Sequence, residues 1–275
     1  MLVDPRTHIP KSKRPRLGRY TVKISVAPLR RGKSFTSGLD TQLLCGQYFD
    51  VYEQGKKWAW GRTVTPVKNS KQTGYVGYVP LRCLSEGALK PNYRITAMRA
   101  PLFSQPNIKR SIIDFLYLGA RLKLKKAAPS FFELPSGLYI HERHVQPLKK
   151  PPKSLDFVEV AEQHIGLPYV WGGITTQGLD CSGLVQSSLR AVGRDAPRDT
   201  DMQEGELGNN LPVRQSGLKR GDLIFWKGHV GIMTSGVKMI HANAYHMSVE
   251  TEALSTVIYR INSRGGGKVT AIKRL

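Results

Sequence analysis

The chain has 275 residues, 40% hydrophobic and 23% charged, a composition that excludes wholesale disorder and, at this length, makes more than one core the expectation. Its 42 Lys and Arg against 20 Asp and Glu give a formal net charge of +22, which points to an anionic partner without choosing among nucleic acid, acidic polymer and carboxylate-rich peptide. No stretch approaches the ~18 consecutive apolar residues of a membrane span, and three scattered cysteines, Cys45, Cys83 and Cys181, exclude a disulfide framework or a C-x-x-C metal site.

Residues 1–19 read as a basic arm. Lys11, Lys13, Arg14, Arg16 and Arg19 crowd it, and Pro5, Pro10 and Pro15 discourage a helix. The arm is expected to be solvated rather than to contact nucleic acid. Broken by proline and charge, it lacks the apolar core of a signal peptide, so a cytoplasmic protein is expected, in keeping with the reducing compartment that the cysteine usage suggests.

Two segments then present the same signals in the same order, the mark of a duplicated unit. The first, 20–88, runs through Val22, Ile24 and Val26, then Ala27-Pro28-Leu29, a strand pair near Leu43 to Trp60 broken at Gln54-Gly55-Lys56, and Gly77-Tyr78-Val79-Pro80. The second, 89–148, has Ala100-Pro101-Leu102, Leu118-Gly119-Ala120-Arg121-Leu122 and Gly137-Leu138-Tyr139-Ile140 in corresponding places. Neither carries a long helical period, so each is expected to be a small barrel of five or six short strands. Both resemble bacterial SH3-like domains. His141 and His144 form an H-x-x-H pattern, but alternation points Glu142 elsewhere and no third ligand stands near in sequence, so they are read as surface residues rather than a metal site.

Residues 149–153 are a Pro- and Lys-rich linker, and the pattern changes after it. Ser154 suits a helix N-cap, with Phe157, Val158, Ala161 and Ile165 at helical spacing before Gly166 and Pro168. A second helix begins at Cys181, carries Val185, Leu189 and Val192 on one face, and stops at Gly193. Strand-like runs follow at Leu223 to Trp226, His229 to Met233 and Lys238 to His241. Residues 154–275 are therefore expected to be an α+β domain.

Cys181 sits in the first turn of its helix, where unpaired N–H groups and the helix dipole favour a thiolate and the small Ser182 and Gly183 leave room for a carbonyl. His229 stands between Gly228 and Gly231, and His241 lies 241 − 229 = 12 residues on, a gap that suits two side chains meeting across an antiparallel hairpin. His241 can then accept a hydrogen bond from one ring nitrogen of His229 and turn the other toward the thiol. His164 and His246 have no partner pattern and receive no role.

Four blocks in order, Pro168-Tyr169-Val170-Trp171-Gly172-Gly173, Leu179-Asp180-Cys181-Ser182-Gly183-Leu184-Val185, Gly221-Asp222-Leu223-Ile224-Phe225-Trp226 and His229-Val230-Gly231-Ile232, resemble the signature blocks of the NlpC-type papain-like cell-wall peptidases. The resemblance covers roughly 154–275 and implies a triad of Cys181, His229 and His241, Tyr169 near the nucleophile, an oxyanion contribution from the Cys181 backbone N–H, and a pocket completed by Trp171 and Ser182. The whole chain is thus expected to be multidomain, two small all-β SH3-like barrels followed by a papain-like cysteine peptidase domain. Members with SH3-like units resemble endopeptidases that cut murein peptides between γ-D-glutamate and a diamino acid, preferring substrates that start with L-alanine, of the L-Ala-γ-D-Glu-diaminopimelate type. In that subgroup the free amine meets the aspartate before the cysteine, here Asp180, and an acidic residue and a tyrosine of the first SH3-like unit, for which Glu53 and Tyr75 are the candidates. Pro197-Arg198-Asp199-Thr200 resembles the block in which a hydroxyl holds a substrate carboxylate, with Thr200 in the place of a serine. No metal or organic cofactor is implied. The expected role is recycling of small wall peptides in the cytoplasm; an exported hydrolase of intact wall and an inactive wall-binding module are the alternatives.

Overall fold

The computed structural model describes residues 4–13, 15–64, 74–152 and 156–275. Of these, residues up to Pro151 form one compact unit and those from Pro152 a second.

The first unit is nearly all strand. Its leading part is a seven-stranded antiparallel sheet of Gly18–Val22, Val26–Arg30, Leu39–Leu44, Tyr48–Gln54, Trp58–Val64, Val76–Pro80 and Leu84–Glu86. The break expected at Gln54-Gly55-Lys56 is a hairpin turn in which Gly55 N–H donates to Trp58 O at 2.9 Å. Val22, Ile24 and Val26, expected as one alternating run, are split between two strands, with Ile24 36% exposed between them. The chain bends there around Cys45-Gly46, whose N–H groups reach Ser25 O (3.1 Å) and Val22 O (2.9 Å).

The second part of the unit divides its strands between a five-stranded and a three-stranded sheet. The duplication is visible in its details. Ala27 and Leu29 are buried in Val26–Arg30 as Ala100 and Leu102 are in Arg99–Phe103, because period-two alternation sends both to the interior and the intervening proline outward. Gly46 and Gly119 each take positive φ, 80° and 85°, after an equivalent strand. Short 3₁₀ turns, Leu81–Cys83 and Glu142–His144, occupy matching places.

The arm departs from the expectation of a solvated segment. Val76 N–H donates to Arg6 O at 2.8 Å, Ile9 is only 6% exposed, and Arg19 and Arg16 pair with the buried Asp50 carboxylate at 2.7 and 3.3 Å. Lys13 ion-pairs with Glu53 and lies 4.6 Å from the centre of the Trp60 ring. Proline and charge limit the arm to one 3₁₀ turn, Lys11–Lys13, but they do not stop a chain from docking once one apolar side chain and several cations find partners.

In the second unit, Asp156 caps the helix Phe157–Glu162, accepting from Val158 N–H at 2.8 Å. Ser154, the expected cap, lies outside the described residues. The helices Cys181–Ala191, Thr200–Glu206 and Leu254–Ser263 pack on a six-stranded antiparallel sheet in the order Asn209–Leu211, Ala271–Arg274, Leu223–Trp226, His229–Met233, Lys238–Asn243, Ser248–Ala253. Alternation in Leu223–Trp226 divides its side chains between two cores. Phe225 joins Leu184, Val185 and Leu189 of the cysteine helix with Val230 and Ile240, whereas Ile224 and Trp226 join Met233, Met239, Leu254 and Val257. The α+β expectation holds, with the cysteine helix fixed on one face of the sheet that carries the histidines. Among the described residues no helix is long and apolar enough to cross a membrane.

A substitution separates backbone strain from steric collision. Gly46 and Gly87 both hold positive φ, but a Cβ at Gly46 meets Arg121 O at 1.6 Å while one at Gly87 meets nothing within 4 Å. Gly87→Ala should cost about 1 kcal/mol and Gly46→Ala about 3 kcal/mol or more, read from urea midpoints. Equal losses would show that the two repeats do not press together at Gly46.

Candidate active site

Cys181 is the first residue of its helix because Asp180, immediately before it, is an N-cap whose Oδ1 accepts from Gly183 N–H at 2.7 Å. Asp180 does more than cap. Its Oδ2 accepts from Gly172 N–H at 2.8 Å, and Arg198 holds both oxygens, Nη1 to Oδ1 at 2.9 Å and Nη2 to Oδ2 at 2.6 Å. Ser182 Oγ donates to Asp180 Oδ1 and accepts from Arg198 Nη1. All three side chains are buried. The cysteine helix thus starts from a closed polar knot joining Gly172, Asp180, Ser182 and Arg198.

The knot leaves Cys181 buried, its Sγ 3.9 Å from Gly228 O at the start of the strand His229–Met233. Burial pushes the thiol up to about 12 and the Asp180 carboxylate acts in the same direction, while the N–H groups of Val230 and Ser182 and the Arg198 charge oppose them and fall short. The thiolate expected from a helix start is therefore outweighed by desolvation. Burial likewise pushes His229 down to about 3, helped by His241 and Arg260 and opposed by Glu252. Burial thus disfavours charge on both the thiol and the imidazole.

His229 Nε2 and His241 Nδ1 lie 2.8 Å apart, so the expected hydrogen bond between the histidines is present, and His229 Nδ1 is left free of that contact. The hairpin makes it by an offset. Its register pairs Ile232 with Ile240, and continuing it puts Gly231, not His229, across from His241. Gly231 has no side chain, its place being filled by the Met239 methyl, which a built Cβ would meet at 1.8 Å, and the His241 ring reaches diagonally onto His229. On its other side, His241 Nε2 lies 2.9 Å from Glu252 Oε2, and Arg260 grips Glu252 with two contacts of 2.5 Å. Sequence reading missed Glu252 and Arg260, because nothing in the local pattern separates them from an edge-strand acid and a solvated helix base. It also missed Arg198 and the wholly buried Gln203, whose amide donates to Ser182 O (3.0 Å) and Pro197 O (2.9 Å).

The other expected site residues are divided. Tyr169 is half-buried beside Cys181, its phenol pushed up chiefly by burial. Trp171 is 64% exposed, so it is not core. Ser182 is buried within the polar knot. Asp199 holds the N-cap position of Thr200–Glu206, and Thr200 is buried as its first residue. In the first unit, Glu53 is paired with Lys13 and with Lys33 (2.7 Å), while Tyr75 is 6% exposed and packed inside. His141 Nδ1 accepts from Arg143 N–H at 3.2 Å, and its ring centre is 6.0 Å from that of His144. Among the described residues no group of three His, Cys, Asp or Glu side chains is arranged to hold a metal ion.

A buried cysteine opening a helix, packed on a sheet whose strands carry two hydrogen-bonded histidines, is the architecture of the papain-like cysteine peptidases. The NlpC/P60 family pattern matches residues 166–264, and that of the bacterial dipeptidyl-peptidase Sh3 domain matches 29–84. The chain is 30% identical over 252 residues to a gamma-D-glutamyl-L-lysine dipeptidyl-peptidase of Bacillus subtilis, covering 84% of this chain and 81% of that one. A protein of the same name from Bacillus cereus is 26% identical over 249 residues, with 80% and 72% covered. The chain belongs to the NlpC/P60 family and is a cysteine peptidase. Its fold matches a crystal structure of an NlpC/P60 family protein from Bacillus cereus with a TM-score of 0.75 at 22% identity, covering 94% of this chain and 99% of the other.

Two measurements check the site. Arg198→Met leaves the Asp180 carboxylate buried without its partner and should cost about 3–5 kcal/mol, read from urea midpoints; a loss below 1 kcal/mol would show that Asp180 does not depend on the pair. Because burial holds the thiol neutral, Cys181 alkylation by iodoacetamide should keep accelerating from pH 6 through pH 9. A plateau from pH 6 upward would mean that a thiolate–imidazolium pair exists in the free enzyme.

Proposed function

We propose that this chain hydrolyses the bond between γ-D-glutamate and a diamino acid in murein peptides that begin with a free L-alanine, with Cys181 as nucleophile, His229 as base and His241 as its orienter. The observation that carries the chemistry is the 2.8 Å contact of His229 Nε2 with His241 Nδ1, on the strand that begins at the buried thiol. The names of the two relatives supply the bond and the exopeptidase pattern, since removing a dipeptide requires reading a free amino end.

Sγ attacks the γ-glutamyl carbonyl carbon as its proton passes to His229 Nδ1, so charge appears only as the C–S bond forms. The Cys181 backbone N–H, at the open end of its helix, stabilises the oxyanion. The imidazolium then protonates the leaving amine as the C–N bond breaks. Water, giving its proton to His229, attacks the thioester and releases the γ-carboxylate and the thiol. Tyr169 and the exposed Trp171 line the approach, and Thr200, with Asp199 before it, offers the hydroxyl for a substrate carboxylate.

Asp180 already accepts from two backbone N–H groups, Ser182 and Arg198, so the carboxylate left for the alanine ammonium is Glu53, which must first release a lysine. Tyr75, packed inside, is kept as a neighbour of that position rather than a surface donor. We assign 20–88 and 89–148 as the two SH3-like domains, 149–153 as the linker and 154–275 as the peptidase domain. Reading a free alanine favours released peptides over intact wall, whose alanine is amide-linked, and so favours recycling in the cytoplasm.

Mass detection of the products from L-Ala-γ-D-Glu-diaminopimelate and its lysine counterpart tests this directly. Cleavage after the glutamate, lost in Cys181→Ala and His229→Ala, is expected. The N-acetylated peptide should be cut at least about 10-fold more slowly, the worth of one charge-assisted hydrogen bond, and Glu53→Gln should shrink that gap. Equal rates on both peptides would overturn recognition of the amine.

A further inference from the structure

We infer that Glu252, anchored by Arg260, sets the tautomers of His241 and His229 and thereby leaves a lone pair at His229 Nδ1 to receive the Cys181 proton. The inference deepens the proposed function and rests on its assignment of Cys181 and His229 as nucleophile and base. It makes Glu252 a positioning residue that acts through two rings rather than on the substrate.

The argument follows the protons. Arg260 donates to both Glu252 oxygens, and its hydrogen bonds, with those of His241 and His246, hold the carboxyl well below the usual carboxylate range. An ionised carboxylate can only accept, so His241 must carry its proton on Nε2, 2.9 Å from Glu252 Oε2. Burial lowers His241's affinity for a second proton, which leaves its Nδ1 an acceptor. The 2.8 Å contact is then a donation from His229 Nε2–H, and His229, also neutral, keeps its lone pair on Nδ1. Reversing any one proton in this series puts an N–H at Nδ1, where a base is needed.

Neighbouring groups favour Glu252 for this work. Glu250 is directly across from His241 in the sheet register, but its carboxylate takes the Ser248 hydroxyl at 2.7 Å, and His241 turns instead to Glu252, paired across from Met239. Arg260 and Arg264 both stack on the Tyr245 ring, at 4.4 and 4.5 Å from its centre. His246 Nε2 approaches Glu252 Oε1 at 3.3 Å, the oxygen that Arg260 Nη1 also holds. A clamp between the last strand and its following helix would need only the arginine. Sending the second oxygen to a ring that is 1% exposed adds nothing to that clamp and decides where the ring's proton sits.

Glu252→Gln tests the logic because the amide keeps the shape. Arg260 donates to both oxygen positions, so the substitution is made in a His246→Phe background, where the acceptor left for the amide NH₂ is His241 Nε2. That turns His241 into an Nδ1–H donor and drives the His229 proton to Nδ1. We expect kcat/KM on the tripeptide to fall about 10²–10⁴-fold, the range for a misplaced base, with a thermal midpoint near that of the wild type. Iodoacetamide alkylation of Cys181 should slow, and ¹H–¹⁵N spectra of the imidazoles of the full chain should show both rings changing tautomer. Glu252→Asp should restore the wild-type tautomers and part of the rate, and Glu250→Gln should leave all three readouts unchanged. Alkylation and spectra need no substrate, so they decide the point even if murein peptides prove not to be cleaved. Wild-type tautomers in Glu252→Gln on the His246→Phe background would overturn the inference, whether activity is kept or lost, as would a Glu252→Asp protein that folds with altered tautomers.

Discussion

The site depends first on the bidentate pairing of Asp180 with Arg198. Its carboxylate is at once the cap of the Cys181 helix, the acceptor for Gly172 N–H and the counter-ion of an arginine buried to 6% exposure. Ionic groups so deep are tolerated only when every lone pair and proton is engaged, and here Ser182 and Gly173 O complete the set. The consequence is positional. The loop before the cysteine, the first turn of its helix and the segment that leads into Thr200–Glu206 are held in one register, so the thiol has little freedom to leave the strand that carries His229.

That rigidity comes with desolvation, and desolvation sets the proton inventory. Deep burial opposes charge on both sulfur and imidazole. Forming an ion pair in the free site is therefore disfavoured, and a bound carbonyl that takes negative charge from sulfur relieves that cost. The requirement placed on the histidines is correspondingly strict, because a neutral ring serves as base only through its unprotonated nitrogen.

What was legible in the sequence was local. Cys181 after an aspartate and before two small residues, the glycines around His229, the alternation in Leu223–Trp226 and the repeated Ala-Pro-Leu segments each carry their meaning within a few positions, and the structure places helix and strands where those signals put them. What was not legible depends on partners far along the chain. Arg198 in its motif looks like any surface base until Asp180, 18 residues earlier, is seen beside it. The hairpin spacing anticipated that His229 and His241 would meet, but not the diagonal register that Gly231 permits. The arm shows the same limit from the other side: its composition discourages a long helix, and the partners that fold it down, Val76, Asp50 and Glu53, lie far along the chain.

One device recurs in the peptidase unit. Asp180 is held by Arg198, Glu252 by Arg260, and Asp222, fully buried in the turn before the central strand, by Arg274 at 2.6 and 2.7 Å. In each case both carboxylate oxygens are taken, which the planar fork of arginine achieves and the point charge of lysine does not. Each pair ties an element of the site to a segment that follows it in sequence: the Cys181 helix, the strand that contacts His241 and the strand beside His229. In a chain with 22 more formal positive than negative charges, cations are abundant and buried carboxylates are the scarce component. Where each buried carboxylate lies therefore decides which arginines it holds.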